Sequence, residues 1–264
     1  VHPIEQLRFV ARATGADAGL LVQEAAGALR VFAHDPAGLL TAARRLLWRQ
    51  PGVGPLWWLC ARLVTAADPA AEARVALGEL ARDRTGRELA AHLPEAAVVA
   101  LVGYPDQAVE ALPRRGDLTV LAVDAGHGVA AARRLARAGV DVEVVEPRHL
   151  AGVVGAADVV VLEAGAAGDG AALVEPGSVP LAATARVAGV PVWLVTGVGR
   201  RLPEPYWQAV ARRSTPRGRP WPADHEVLDL GLVDQFATAD GVVDASARPA
   251  PGCPFAPELL APLP

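Results

Sequence analysis

The sequence contains no lysine, no asparagine and no methionine, and a single isoleucine, Ile4. Without lysine there is no Schiff base, no pyridoxal-phosphate anchor, no P-loop lysine and no protein-kinase lysine. Without asparagine there is no N-glycosylation sequon. Cysteine is nearly absent too: Cys60 and Cys253 are the only two, too few for Cys-rich zinc or iron–sulfur centres. They read as reduced thiols rather than a disulfide framework. None of the three serines, Ser178, Ser214 and Ser246, sits in a G-x-S-x-G elbow. The six histidines form neither H-E-x-x-H nor any pair at helical ligand spacing. Hydrolase and metalloenzyme readings lose their support, and neither a metal nor a cofactor is expected. Long apolar runs are missing as well, since the candidate around Leu56–Ala67 is cut by Arg62. Glu5, Arg8 and Arg12 break any signal-peptide core. No membrane partner and a cytoplasmic location are therefore expected. A net charge of −4 offers no global basic field, so nucleic acid is not an expected partner.

What remains is 264 residues, 52 % hydrophobic and 20 % charged, enough for one large domain or two modest ones. The 25 arginines and the excess of Ala, Val, Gly and Pro read as the mark of a GC-rich genome. Residues 1–93 carry helical patterns only. Ile4, Leu7 and Val10 share one face of a first helix over Ile4–Ala13. Asp17 can cap a second helix to about Ala33, with Leu20, Leu21 and Ala28 inward. Asp35-Pro36 starts a third, running through Leu39, Leu40, Leu46 and Leu47. Pro51-Gly52-Val53-Gly54-Pro55 interrupts the pattern before a helix carrying Trp57 and Trp58. A longer helix is expected from Asp68-Pro69 to about His92.

The pattern changes at Pro94. Val98–Val102, Leu118–Val123, Val142–Val145, Val159–Leu162 and Val192–Val195 are short apolar runs, separated by Gly-rich turns and stretches of helical spacing. They predict an α/β fold, a Rossmann-like doubly wound parallel sheet over 94–264, with a last strand near Glu226–Leu228. The tail from Ser246 is Pro-rich and is expected to wrap the surface or fray.

In such a sheet, ligands bind beyond the carboxyl ends of the strands. The residues that follow the strands are Gly103-Tyr104-Pro105-Asp106, Asp124-Ala125-Gly126-His127-Gly128, Glu146-Pro147, Glu163-Ala164-Gly165 and Thr196–Arg200. This acidic, glycine-lined rim carries one histidine, His127, and suits proton transfer if its acids converge; otherwise the acids only cap helices. Gly126-x-Gly128-x-x-Ala131, with Glu146 eighteen residues after Gly128, imitates a dinucleotide fingerprint and makes an NAD(P)-binding enzyme one alternative. Arg212, Arg213, Arg217 and Arg219, interleaved with Pro216, Pro220 and Trp221, form either a phosphate-holding or a solvated loop. Trp48, Trp57 and Trp58 read as packing residues.

A helical half before a Rossmann-like half resembles the family of initiation factor 2B alpha/beta/delta subunits, which also holds methylthioribose-1-phosphate isomerase and ribose-1,5-bisphosphate isomerase. Gln50-Pro51-Gly52-Val53-Gly54-Pro55-Leu56 is similar to that family's R-P-T-[AS]-x-x-L, and Val99–Tyr104 to its first strand, I-L-T-H-x-x. Asp158–Gly165, Asp169-Gly170 and Gly177–Ala182 follow D-x-V-I-V-G-A-D, D-G and G-T-x-x-L-A. Val190–Val195 resembles V-P-[FV]-Y-V, and Leu230–Asp234 and Thr238–Val242 the closing P-x-E-L-I-[DT] and T-E-x-G-V.

The departures fall on the family's chemistry. Its catalytic cysteine belongs after the first strand, where Gly103-Tyr104-Pro105-Asp106 has none. Its catalytic aspartate falls on Ala164 or Gly165, one or two positions from Glu163. Its N-K pair is Val174-Glu175, an anion in place of a phosphate-binding cation, and its E-[ST]-R-P loop is shortened to Asp124-Ala125-Gly126. The resemblance implies a non-catalytic or altered-activity paralogue holding a phosphorylated sugar or nucleotide at the strand edge, and a homodimer. An aldose–ketose isomerase is the alternative. The candidate ligand contacts are Gly103, Tyr104, Asp124, Gly126, His127, Gly128, Glu163, Asp169 and Arg200, with Glu163 and Asp169 the candidate acids.

Overall fold

In the N-terminal half, punctuation residues set the helix starts. In the computed structural model, which describes residues 18–214, 223–247 and 249–261, helix α1 spans Ala18–Leu29, α2 Pro36–Arg49, α3 Gly54–Thr65 and α4 Pro69–Ala81. Asp35 and Asp68 cap α2 and α4, their carboxylates accepting from the Gly38 and Ala71 amides at 2.9 Å, with proline next in each case. Leu21 and Ala28 are buried as expected, whereas Leu20 is 47 % exposed. The helix expected over Ile4–Ala13 and its neighbour's cap Asp17 lie outside the described residues.

The expected helix from Asp68 to His92 is two helices. Asp83 accepts from the Thr85 amide and hydroxyl, ending α4 and starting α5, Thr85–His92. Leu89 and Ala90 of this second piece, and Leu93 just after it, pack against the sheet.

The sheet follows the βα alternation. Its strands are β1 Val98–Val102, β2 Thr119–Val123, β3 Asp141–Val145, β4 Val159–Ala167, β6 Val192–Val195, β8 Gln235–Thr238 and β9 Gly241–Asp244. They lie in the order β3-β2-β1-β4-β6-β8-β9, parallel except for β9 at the edge. Counting parallel strands alone, this is the doubly wound order 3-2-1-4-5-6. Helices α6 Asp106–Ala111 and α7 Gly128–Arg137 join α5 on one face; α8 Leu150–Ala156 and α9 Ser178–Ala188 cover the other. Strand β4 alternates accordingly, Val159 and Val161 to the first core, Val160 and Leu162 to the second.

Two departures from the expected sheet matter. Beyond Glu163, β4 continues through an irregularity at Ala164–Ala166 into a small antiparallel sheet with β5, Ala171–Val174, and β7, Glu226–Asp229. Strand β7 is therefore not the last parallel strand. Secondly, the Pro-rich tail is not loose: Cys253, Ala256 and Leu259 are buried with α1–α4 and with α10, Glu204–Ser214. The helical core is thus completed from the chain's C-terminal end. Cys60 and Cys253 are both unbridged and buried there, and burial raises both thiols. Among the described residues no helix is long and apolar enough to cross a membrane.

Candidate functional site

The strand order reverses between β1 and β4, which places a crevice over their carboxyl ends. The helical half closes on this edge through glycines. A Cβ on Gly54 would lie 2.8 Å from the Gly165 carbonyl and 3.1 Å from the Arg200 Cα, and one on Gly165 would lie 2.8 Å from the Gly52 carbonyl. The Pro51–Pro55 break is where two backbones cross, and a side chain at either glycine would part them.

Backbone N–H groups gather along this edge, and the chain supplies an acid to each group of them. Asp124 accepts from the Gly126 and Gly128 amides at the start of α7, at 3.4 and 3.1 Å. Glu163 accepts from Gln107 and Ala108 at the start of α6, at 2.8 and 3.4 Å. Glu226 reaches the start of α9, accepting from Gly177 at 2.9 Å and Val179 at 2.8 Å. Glu175 accepts from the Tyr104 amide at 2.8 Å and lies across Gly103, where a Cβ would stand 1.5 Å from its Oε2. These amides are the groups a phosphate would use.

Glu163 is also paired. Its Oε1 lies 2.7 Å from Arg200 Nη2, with both side chains buried, while Arg200 Nη1 donates to the Ala164 carbonyl at 2.6 Å. Burial pushes the Glu163 carboxyl up to about 7, with Asp106 adding to the rise and Arg200 and the two amides opposing it. Next to it, Asp83 accepts from the Gln107 side chain at 2.8 Å and the Val198 amide at 3.0 Å. One carboxylate thereby joins the α4–α5 turn, α6 and the loop after β6.

The structure brings Gly103, Tyr104, Asp124, Gly126, His127, Gly128, Glu163 and Arg200 to this edge. His127 is exposed at the start of α7 and its field acts on Glu175. Asp169 is not brought there. It sits between β4 and β5 with its side chain 63 % exposed, 3.7 Å from Arg201. It lines a recess of about 440 Å³ with Arg186, Asp229, Asp234 and Asp244. The expectation that Asp169 and Glu163 act in one cleft fails because β4 runs on past the sheet before it turns.

The dinucleotide reading fails on placement. Its glycines follow β2, not a strand at the switch point, and Asp124 already holds the Gly126 and Gly128 amides. Glu146 ends edge strand β3, where it pairs with Arg148 at 3.1 Å. Of the arginine loop, Arg213 lies over the rings of Trp48 and Trp57; Pro216, Arg217, Arg219, Pro220 and Trp221 are outside the described residues. A groove of about 600 Å³ lies beside Asp83, rimmed by Arg82, Arg84, Arg87 and Arg114, with Gln107 and Arg200 in its lining. Among the described residues no cluster of His, Cys, Asp and Glu is placed to hold a metal. Sequence reasoning missed Asp83, Gln107 and Glu226; Glu175 was marked only as a reversed charge.

No protein-family model matches the sequence, and no curated protein matches it. Solved structures do. The translation initiation factor eIF-2B of Pyrococcus horikoshii superposes with a TM-score of 0.78 over 92 % of this chain and 96 % of that one, at 16 % identity. The tetrameric eIF2B-beta2-delta2 complex of Chaetomium thermophilum gives 0.76 over 93 % and 91 %, at 18 % identity. The 5-methylthioribose 1-phosphate isomerase of P. horikoshii gives 0.65 over 92 % and 84 %, also at 18 %. The chain has the fold of these proteins, helical N-terminal part and mostly parallel sheet alike.

Proposed function

We propose that the chain is a non-catalytic paralogue on the initiation factor 2B-like fold, a binding or regulatory protein rather than a sugar-phosphate isomerase. The observation that carries this reading is the end of β1: no thiol is present, and the Glu175 carboxylate lies over Gly103 on the Tyr104 amide. Glu163, the acid nearest the place where the resemblance puts one, is buried and held by Arg200 and two amides. Aldose–ketose isomerisation needs a proton carrier that reaches the sugar, and neither residue is placed to be one. The test is turnover of methylthioribose 1-phosphate and ribose 1,5-bisphosphate by the purified protein. No product is expected; turnover within tenfold of an ordinary enzyme's roughly 10 per second would overturn the reading.

The ligand class of this reading is a phosphorylated sugar or nucleotide, supported by the arginines that line the groove beside Asp83 together with Asp106 and Glu110. The expected outcome is stabilisation in a thermal-shift series with sugar phosphates and nucleotides, lost on replacing Arg84 and Arg114 together by alanine. The same reading includes a homodimer, with the outer face of α9 as its contact surface.

A further inference from the structure

We infer that Glu175 is a built-in occupant of an anion cradle at the end of β1, an internal carboxylate seated where a phosphate group would otherwise rest. The inference rests on the non-catalytic reading and explains it at one atom.

The cradle is built from three features. Gly103 has φ +69° and no side chain, so its face is open to a group lying flat on the backbone. The Tyr104 N–H points out of that face and takes Glu175 Oε2 at 2.8 Å. His127, when protonated, favours the ionised form of Glu175. A carboxylate and a phosphate oxygen make the same demands of such a place: an N–H donor, a surface without Cβ, and a neighbouring positive field. Glu175 meets those demands from the short link between β5 and α9, which Gly177 anchors with its amide on Glu226. Burial disfavours the charge there, and the amide and His127 oppose that effect. The other amide groups of this edge are filled in the same way by Asp124, Glu163 and Glu226. Those three sit at helix starts, where capping alone explains them. Glu175 differs: Tyr104 precedes α6 by two residues, so its amide is not one of that helix's own first-turn donors.

The consequence is selectivity. With Glu175 ionised, an incoming anion meets like charge and a donor already in use, so inorganic phosphate is refused at this position. Removing the carboxylate opens it. Tyr104 and Tyr206 are the only tyrosines, so isotope-labelled tyrosine yields two backbone amide signals, assigned with Tyr104→Phe. The parent, Glu175→Ala and Glu175→Ser are titrated with inorganic phosphate against chloride at equal ionic strength. In the parent neither signal moves. In Glu175→Ala the Tyr104 signal moves saturably while Tyr206, deep in the helical core, stays in place and reports an intact fold. Glu175→Ser is likewise too short to reach the Tyr104 amide, and carries the test if the alanine variant does not fold. A Tyr104 signal that stays still in the folded variants, or already moves in the parent, overturns the inference. Isomerase turnover by the parent would instead overturn the reading it rests on, and the two failures are read from different assays.

Discussion

Glu163 carries most of the unusual electrostatics of the sheet edge, and its effect on stability has a definite sign. Its folded-state value of about 7 lies above the ordinary 4.5, so between those two values the folded protein holds a proton that the unfolded chain has released. Stability from this group is greatest below 4.5 and is lost as pH rises through that window, with no further change above about 7. Glu163→Gln removes the slope: melting temperatures of parent and variant, followed from acid to neutral pH, should converge or cross rather than run parallel. Parallel curves would mean that Arg200 holds the carboxylate ionised throughout. A second residue acts by geometry alone. Asp83 accepts from Thr85 twice, from Gln107 and from Val198, and Thr85 is fully buried. Asp83→Ala leaves those donors without their acceptor, at a cost of about 3 kcal/mol if one or two stay dry. Urea unfolding of the two proteins measures it, and a loss below about 1 kcal/mol would show that water replaces the carboxylate.

Among the elements, α10 and the tail bind the two ends of the chain together. The Tyr206 hydroxyl donates to the Ala256 carbonyl at 3.0 Å and accepts from the Ala256 amide at 2.6 Å, while its ring packs on Trp57 and Phe255. Tyr206→Phe keeps the packing and deprives both Ala256 groups, so a loss of roughly 1–3 kcal/mol is expected, with earlier proteolysis of the tail; an unchanged urea midpoint would refute it. This attachment was not legible in the sequence, where prolines around Cys253 and Phe255 hide any period. What was legible is local. Apolar runs of four to six residues mark five parallel strands, and Asp35-Pro36 and Asp68-Pro69 mark two helix starts, because capping and side-chain alternation act between near neighbours. Strand β5 is not marked in the sequence, and β7 is marked there but as part of the parallel sheet, because the antiparallel pairing of both is made between segments far apart in the chain. The site divides in the same way. Glycines and acids directly after strands were readable as an edge. Contacts spanning the chain were not: Glu226 on Gly177, Glu175 on Tyr104 and Asp83 on Val198 join residues 49, 71 and 115 positions apart. No spacing rule connects such pairs, and Asp169 was misplaced because nothing local says that β4 outruns its sheet.

On the scale of the whole molecule, the unpaired surface that asks for a partner is the outer face of α9. Its inner residues Leu181, Ala182 and Ala185 are buried against the sheet. Pro180, Ala183 and Val187, spaced three and four apart, face outward, and Val187 is 91 % exposed. A face of small apolar residues suits a second copy of itself, since a two-fold axis sets the same patch on both sides. An eleven-residue helix cannot by itself supply the roughly 800 Å² per partner of an ordinary stable interface, so neighbouring surface has to share the contact. Light scattering at micromolar concentration is expected to give the mass of a dimer. Val187→Glu, which sets two like charges against each other across the axis without touching the inner face of α9, should give a monomer with the melting behaviour of an intact fold. Val144→Glu, on edge strand β3 at the far side of the sheet, should leave the dimer unchanged. A parent of monomeric mass rejects the dimer outright, and a dimer that survives Val187→Glu but not Val144→Glu would move the interface to the β3 edge.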